Sequence, residues 1–245
     1  MTKILVFPQP GKALRNHTQF CADLGEQVTT YNSAGVMKRY TQAAAFILAG
    51  GVSSRMGREK GLLEFGGEPL IVRTARLLEP LVTEVTVIGP PERYAVLGLR
   101  AIADQNFGGR DEKEAVRAPL VGIATALNAT TLPWNLILAC DLPYLTADWL
   151  DWLLGRAIAS HAQIVVPRTS EGLEPLAAVY RRECAAPIVA ALERGVRKVT
   201  DAMAEFRMEC LSESDWSEHD PGGRVLRNMN APLDYEEARK WLETK

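Results

Sequence analysis

The chain has 245 residues, 47% hydrophobic and 24% charged, enough to bury the core of a large α/β domain and too apolar to stay unfolded. Its net charge of -2 offers no global positive field to a nucleic-acid backbone, and no apolar run approaches the roughly 18 residues of a membrane span. Cys21, Cys140, Cys184 and Cys210 are scattered without metal-ligand spacing and His17, His161 and His219 stand alone, which argues against a zinc site and a histidine-based triad.

Residues 1–42 read as an N-terminal extension of unknown role. Lys3–Phe7 and Val28–Tyr31 fit strands around a helix at Leu14–Leu24, and a poorly ordered segment fits as well. The apolar core of Met1–Pro8 is too short for a signal peptide, so a cytoplasmic protein is expected.

From residue 43 to 245 one domain is expected. Short apolar runs at Ala44–Leu48, Glu84–Ile88, Asn135–Ala139 and Gln163–Val166 alternate with stretches of helical period at Pro69–Leu78, Leu120–Leu127 and Asp148–Ile158. That alternation predicts a three-layer α/β fold, a mostly parallel sheet with helices on both faces. Gly66-Gly67 and Gly89-Pro90-Pro91 mark turns, and Thr146 suits a helix cap. Further on, Arg168–Gly172 predicts a loop, Leu176–Tyr180 a strand, Pro187–Arg194 a helix and Met208–Leu211 a strand. Ser212–Gly223 reads as a long surface loop, Val225–Asn230 as a last strand and Pro232–Leu242 as a terminal helix.

The run Leu48-Ala49-Gly50-Gly51-Val52-Ser53-Ser54-Arg55-Met56-Gly57-Arg58-Glu59-Lys60 follows the first apolar strand. A glycine turn after a strand points backbone N–H groups at one spot, where phosphate oxygens bind, and lets a nucleotide approach the backbone closely. Arg55 and Lys60 add positive charge beyond the turn. Read alone, Gly50-Gly51 is also a plain tight connection flanked by solvated cations. The run is neither a Walker A loop nor a Gly-x-Gly-x-x-Gly fingerprint.

The whole string resembles the signature of the MobA-like nucleotidyltransferases, the molybdenum cofactor guanylyltransferases. Further motifs follow in that family's order. Ala101-Ile102-Ala103-Asp104 resembles a strand end whose aspartate lies in the nucleotide site, and Pro119-Leu120-Val121-Gly122 a segment bordering the base. Cys140-Asp141-Leu142-Pro143 resembles the motif whose aspartate holds magnesium, and Asn228-Met229-Asn230-Ala231-Pro232 the closing motif near the acceptor. The resemblance runs from Ala44 to the C-terminus and leaves out residues 1–42. Ala118 and Ala231 depart from the family's glycine and threonine.

The resemblance implies a Rossmann-like nucleotidyltransferase fold and the transfer of GMP from GTP to the terminal phosphate of molybdenum-molybdopterin, with Mg2+ as cofactor and pyrophosphate released. Arg55, Lys60 and Asp141 would be catalytic. Leu48, Ala49, Gly50, Gly51, Lys60, Asp104, Pro119, Leu120, Gly122 and Asp141 would bind the nucleotide, Asn228 and Asn230 the acceptor, and Asp141 the metal. Transient contact with molybdenum-insertion or molybdoenzyme-maturation proteins is the protein partnership it implies. On residue type alone, Asp104 and Asp141 are also good turn or cap residues, and Asn228 and Asn230 share one face if the segment is a strand. Two alternatives compete with this reading: another nucleotidyltransferase, using CTP or a sugar-phosphate acceptor, and a nucleotide-binding module without turnover. Cys140 has no adjacent base and reads as a packing residue.

Overall fold

Residues 39–49, 60–107 and 118–243 are described in the computed structural model. The expected elements within residues 1–38, together with Gly50, Gly51, Arg55 and residues 108–117, lie outside them. In chain order the strands are β1 (Tyr40–Leu48), β2 (Glu64–Phe65), β3 (Glu68–Pro69), β4 (Val82–Ile88) and β5 (Ala101–Ile102). They are followed by β6 (Trp134–Ala139), β7 (Ile164–Thr169), β8 (Gly172–Leu173), β9 (Ala177–Arg181) and β10 (Met208–Ser212).

Ala43 to Ile47 of β1 are all buried, so both faces of this strand are covered, as the centre of a parallel sheet requires. β1 pairs in parallel with β4 on one side and β6 on the other. The eight-stranded sheet runs β10-β7-β9-β6-β1-β4-β5, with β8 on β7, and β9 is antiparallel to both of its neighbours. β1 begins at Tyr40, so Tyr40–Gln42 belong to the sheet.

Side-chain alternation sorts the core into two layers. Ala45, Ile47, Leu136, Leu138 and Val179 face the helices Leu70–Leu78 and Ala147–Ala159. Ala44, Phe46, Ile137, Ala178 and Tyr180 face the helices Pro119–Asn128 and Ala185–Glu193. Each fully buried large apolar side chain among them contributes about 1.5–3 kcal/mol. The chain leaves β1 through Leu70–Leu78 to reach β4, then returns through Pro119–Asn128 to β6 on the opposite side. Right-handed crossovers running in opposite directions must pack on opposite faces, and the reversal leaves a crevice at the carboxyl end of β1.

A third, smaller core is built from Leu63, Phe65, Leu70, Tyr144, Met229 and Ala238, with Tyr235, Trp241 and Leu242 against it. It joins the β2–β3 hairpin to the terminal helix Pro232–Glu243. The hairpin turn is Gly66-Gly67, with φ of 62° and 88°, backbone angles that favour glycine and suit a two-residue hairpin loop. Among the described residues no helix is long and apolar enough to cross a membrane.

Most expected elements fall within a few residues of their observed bounds. Pro69 precedes its helix, Thr146 Oγ1 accepts from the Trp149 amide at 3.3 Å, and Gly195, at φ 89°, follows the helix Ala185–Glu193. Three expectations are corrected. Arg168–Gly172 is not a loop: Arg168 and Thr169 end β7 and pair antiparallel with Leu173 and Gly172 of β8, which leaves Ser170-Glu171 as the turn. Ser212–Gly223 is not all loop: a capping box between Ser212 and Asp215 starts a short helix, Glu213–Trp216, and Trp216 is buried. Val225–Asn230 forms no strand, because a turn from Arg224 to Arg227 bends it across the carboxyl edge of the sheet. Its Val225, Leu226 and Met229 are buried there as a spacer between cores rather than as one face of a ladder.

Candidate active site

The carboxyl end of β1 is tied on both sides. The Ala49 amide donates to the Ile88 carbonyl at 2.9 Å, and the Leu48 carbonyl accepts from the Cys140 amide at 3.2 Å. The buried Tyr94 hydroxyl donates to the Ala49 carbonyl at 3.2 Å. Gly89 makes room for that ring, since a Cβ there would stand 2.8 Å from Tyr94 Cε2. Burial pushes the Tyr94 phenol up to about 12, so it remains a donor at neutral pH. Leu48 and Ala49 thus form a well-anchored end to β1, directly before Gly50 in the chain.

Lys60 opens a short 3-10 turn, Lys60–Leu62, that leads towards the hairpin. Its ammonium donates to Asp141 Oδ2 at 2.8 Å and to Asn230 Oδ1 at 2.6 Å, partners 81 and 170 positions away in the chain. The Lys60 and Asp141 side chains are only 16% and 18% exposed. At that depth a charge-assisted bond is stronger than at the surface, and losing either partner strands the other charge. Gly61 packs tightly under the pair, as a Cβ there would lie 3.3 Å from Cys140 Cβ. The Asp141 carbonyl accepts from the Met229 amide at 3.0 Å, which draws the closing segment onto the strand end.

A second carboxylate lies on the other side of β1. Asp104 follows β5 and faces the first turns of the helix Pro119–Asn128, where a Cβ on Gly122 would stand 3.1 Å from Leu48 Cδ1 and 3.7 Å from Asp104 Oδ1. The next amide, that of Gln105, donates to Thr125 Oγ1 at 2.9 Å and fixes the strand exit. Burial raises the Asp104 carboxyl above the usual carboxylate range, and no cation bonds to it among the described residues. Leu120 is fully buried in the core, whereas Pro119 is exposed.

The structure therefore gathers Lys60, Asp141 and Asn230 at one end and Leu48, Gly122 and Asp104 at the other. Asn228 is exposed like Asn230, with Met229 buried between them, but the segment is not a strand, so the expected sharing of one strand face does not apply. Asp234 was not singled out from the sequence. It accepts from the amides of both Asn230 and Ala231. The readable signal was an acid at the third position of a proline-opened helix, where a capping-box side chain reaches back to the N-cap amide. Cys140, Cys184 and Cys210 are free thiols, and burial, reinforced by the Asp141 carboxylate, pushes the Cys140 thiol up to about 12. A thiol so reluctant to ionise is no nucleophile.

For a divalent cation, Asp141 is the fitting donor, and among the described residues no three His, Cys, Asp or Glu side chains cluster. Magnesium commonly takes one or two protein carboxylates and completes its shell with water and substrate phosphates. The donor set fits an ion that arrives with a triphosphate.

Residues 45–207 match the model of the MobA-like NTP transferase domain. The "Probable molybdenum cofactor guanylyltransferase" of Pelotomaculum thermopropionicum is 34% identical over 203 residues, 82% of this chain and 94% of that protein. The "Molybdenum cofactor guanylyltransferase" of Shewanella baltica is 33% identical over 195 residues, 78% and 93% of the two chains. Among solved structures, molybdopterin-guanine dinucleotide biosynthesis protein A from Archaeoglobus fulgidus superposes with a TM-score of 0.69 at 21% identity, over 82% of this chain and 100% of that one. The 2-C-methyl-D-erythritol 4-phosphate cytidylyltransferase of Thermus thermophilus shares the fold at a TM-score of 0.57 and 17% identity, over 81% and 98%. With the family model covering well over half of its length, the chain belongs to the MobA-like NTP transferase family.

Proposed function

We propose that this chain is a molybdenum cofactor guanylyltransferase of the cytoplasm, transferring GMP from GTP to the terminal phosphate of molybdenum-molybdopterin and releasing pyrophosphate. The observation that carries the reading is the Lys60 ammonium bridging Asp141 and Asn230 at the carboxyl edge of the sheet, in a chain whose curated relatives bear that name.

Nucleotidyl transfer asks little covalent chemistry of a protein. The acceptor phosphate attacks the α-phosphorus in line, the bond to the bridging oxygen breaks, and pyrophosphate leaves with the electron pair. Positioning and charge neutralisation do the rest. Lys60 supplies a mobile cation that leaves Asp141 for the phosphates as charge builds on the departing group. Asp141 would hold the magnesium ion, which when bound neutralises phosphate oxygens. Arg55 and the backbone of Leu48–Gly51 are assigned to the triphosphate on motif position. Asp104, with no cation bonded to it among the described residues, is suited to accept N–H or O–H donors of the nucleoside, and Gly122 leaves the space beside it. Asn228 and Asn230 face the acceptor side.

The test is to incubate the protein with Mg2+, molybdenum-molybdopterin and each labelled nucleoside triphosphate, and to follow pyrophosphate and the dinucleotide product. GTP should be used in strong preference. Equal transfer from CTP would overturn the guanylyl assignment, and tight GTP binding without pyrophosphate from any acceptor would overturn the enzymatic one.

A further inference from the structure

The Lys60 ammonium is held at two points, and each has separate support. Asp141 is anchored by the strand it follows and by the Met229 amide on its carbonyl. Asn230 belongs to no strand or helix, yet it makes the shorter of the two ammonium contacts. One carboxylate oxygen keeps it in place: Asp234 Oδ2 accepts from the Asn230 amide and from the Ala231 amide, each at 2.8 Å. Arg227 steadies that carboxylate from another side at 3.6 Å while reaching Glu237 at 2.7 Å. The Asn230 amide is the chief cause that lowers the Asp234 carboxyl below its ordinary range, and the Ala231 amide, Arg227 and Lys60 act in the same direction. The carboxylate is therefore a permanent acceptor at working pH.

We propose that Asp234 is a positioning residue for nucleotidyl transfer: acting through Asn230, it sets where the Lys60 ammonium rests and how readily that charge meets the departing pyrophosphate. The proposal rests on the functional reading above. Asp234 bonds to no reacting atom. Without it the Asn230 backbone is free to rotate, and its side chain can present the amide NH2 to the lysine in place of the oxygen. Misplacing a catalytic group by about 1 Å costs on the order of 10²-fold in rate. A carboxylate that only capped the helix would lower stability and leave the turnover of the folded fraction alone.

A double-mutant cycle separates the two roles. Asp234→Ala, Asn230→Ala and the double variant are compared by kcat for pyrophosphate release at saturating GTP and Mg2+. Asp234→Ala should lower kcat about tenfold, and the double variant should be no slower than Asn230→Ala, since residues acting in series are not additive. Asp234→Asn, whose side-chain oxygen can still accept both amides, should recover most of the rate. A second readout needs no substrate: acylation of Lys60 by an N-hydroxysuccinimide ester, mapped by mass spectrometry, should rise at least about threefold in Asp234→Ala, equally in Asn230→Ala, and no further in the double variant. An equal factor lost on removing Asp234 with and without the Asn230 side chain would overturn the proposal. So would unchanged Lys60 reactivity in a folded Asp234→Ala protein. If the wild type releases no pyrophosphate at all, the functional reading fails while the acylation pattern still decides the positioning claim.

Discussion

Asp141 shares its charge with Lys60 at 2.8 Å, whereas Asp104, across β1, is desolvated beside Gly122 with no cation bonded to it among the described residues. The first carboxylate is neutralised before any ligand arrives, and ligand binding exchanges one set of opposite charges for another. The second is half-buried with no such cation among the described residues, and desolvating a carboxylate that lacks one costs the folded state free energy. Under the proposed function, one end of the crevice would take phosphate and metal and the other a ligand that brings hydrogen-bond donors.

The largest expected effect comes from breaking the paired end. Lys60→Ala and Asp141→Asn should each lower turnover by about 10²-fold or more, because a preorganised charge at the departing group is lost. Single-turnover rates near those of the wild type in either variant would remove that end from the chemistry.

Asp104→Asn tests the other end and should act in two opposite ways. Losing a charged acceptor should raise the KM for GTP about tenfold, the range of a hydrogen bond to a charged group. Stability should move the other way. The Asp104 carboxyl titrates higher in the folded than in the unfolded state, so stability falls as pH rises from the unfolded value, about 3.9, through the raised folded value, and the full penalty persists above it. Asn carries no such penalty, so the variant should melt above the wild type at pH 7. The gain should vanish near pH 3. A variant that melts lower at pH 7 would show that Asp104 is paired after all.

Gly122→Ala sharpens the same comparison with a smaller change. An alanine gains about 1 kcal/mol of helix propensity, but its methyl stands 3.1 Å from Leu48 Cδ1. If Leu48 cannot turn aside, the KM for GTP should rise by a few-fold with kcat nearly kept, measurable in steady-state kinetics. The smallest effect is reserved for Cys140, wedged between the ends of β1 and β6 and pushed up to about 12. At pH 8 iodoacetamide should label the exposed Cys210 and spare Cys140, and Cys140→Ala should keep kcat within about threefold, a loss of packing alone.

Much of this fold is legible because its core segments obey one period each. The apolar runs of β1, β4, β6 and β7, and the helices between them, are buried by neighbours that any α/β order supplies. Val225–Asn230 failed because an apolar pair followed by a spaced methionine looks like alternation, while its three side chains enter two different cores. Glu213–Trp216 hid in a polar stretch whose capping box, Ser212 to Asp215, went unweighed. The site was half visible. Residue types and motif order pointed to Lys60, Asp141, Asn230 and Asp104, but spacing cannot reveal that Lys60 meets partners 81 and 170 positions away. Nor can it tell that one aspartate is paired and the other desolvated, since both sit at strand ends in turn-forming sequence. Asp234 stayed hidden because a helix-start acid has a sufficient local explanation.

The third core bears on how folding and chemistry are coupled. Tyr235 stacks edge-on against Phe65 and bonds through its hydroxyl to the Glu64 carbonyl, and Trp241 packs edge-on against the Tyr144 ring, so a handful of contacts fasten the terminal helix to the hairpin and to the segment after β6. The two main cores need none of them. Such a clasp can open at a free energy well below that of global unfolding, carrying Asn230 and Asp234 away from Lys60 while the sheet stays whole. Amide exchange should therefore run faster in the helix than in β1 or β6, and the contact of Asn230 with Lys60 becomes a breathable part of an otherwise unyielding frame.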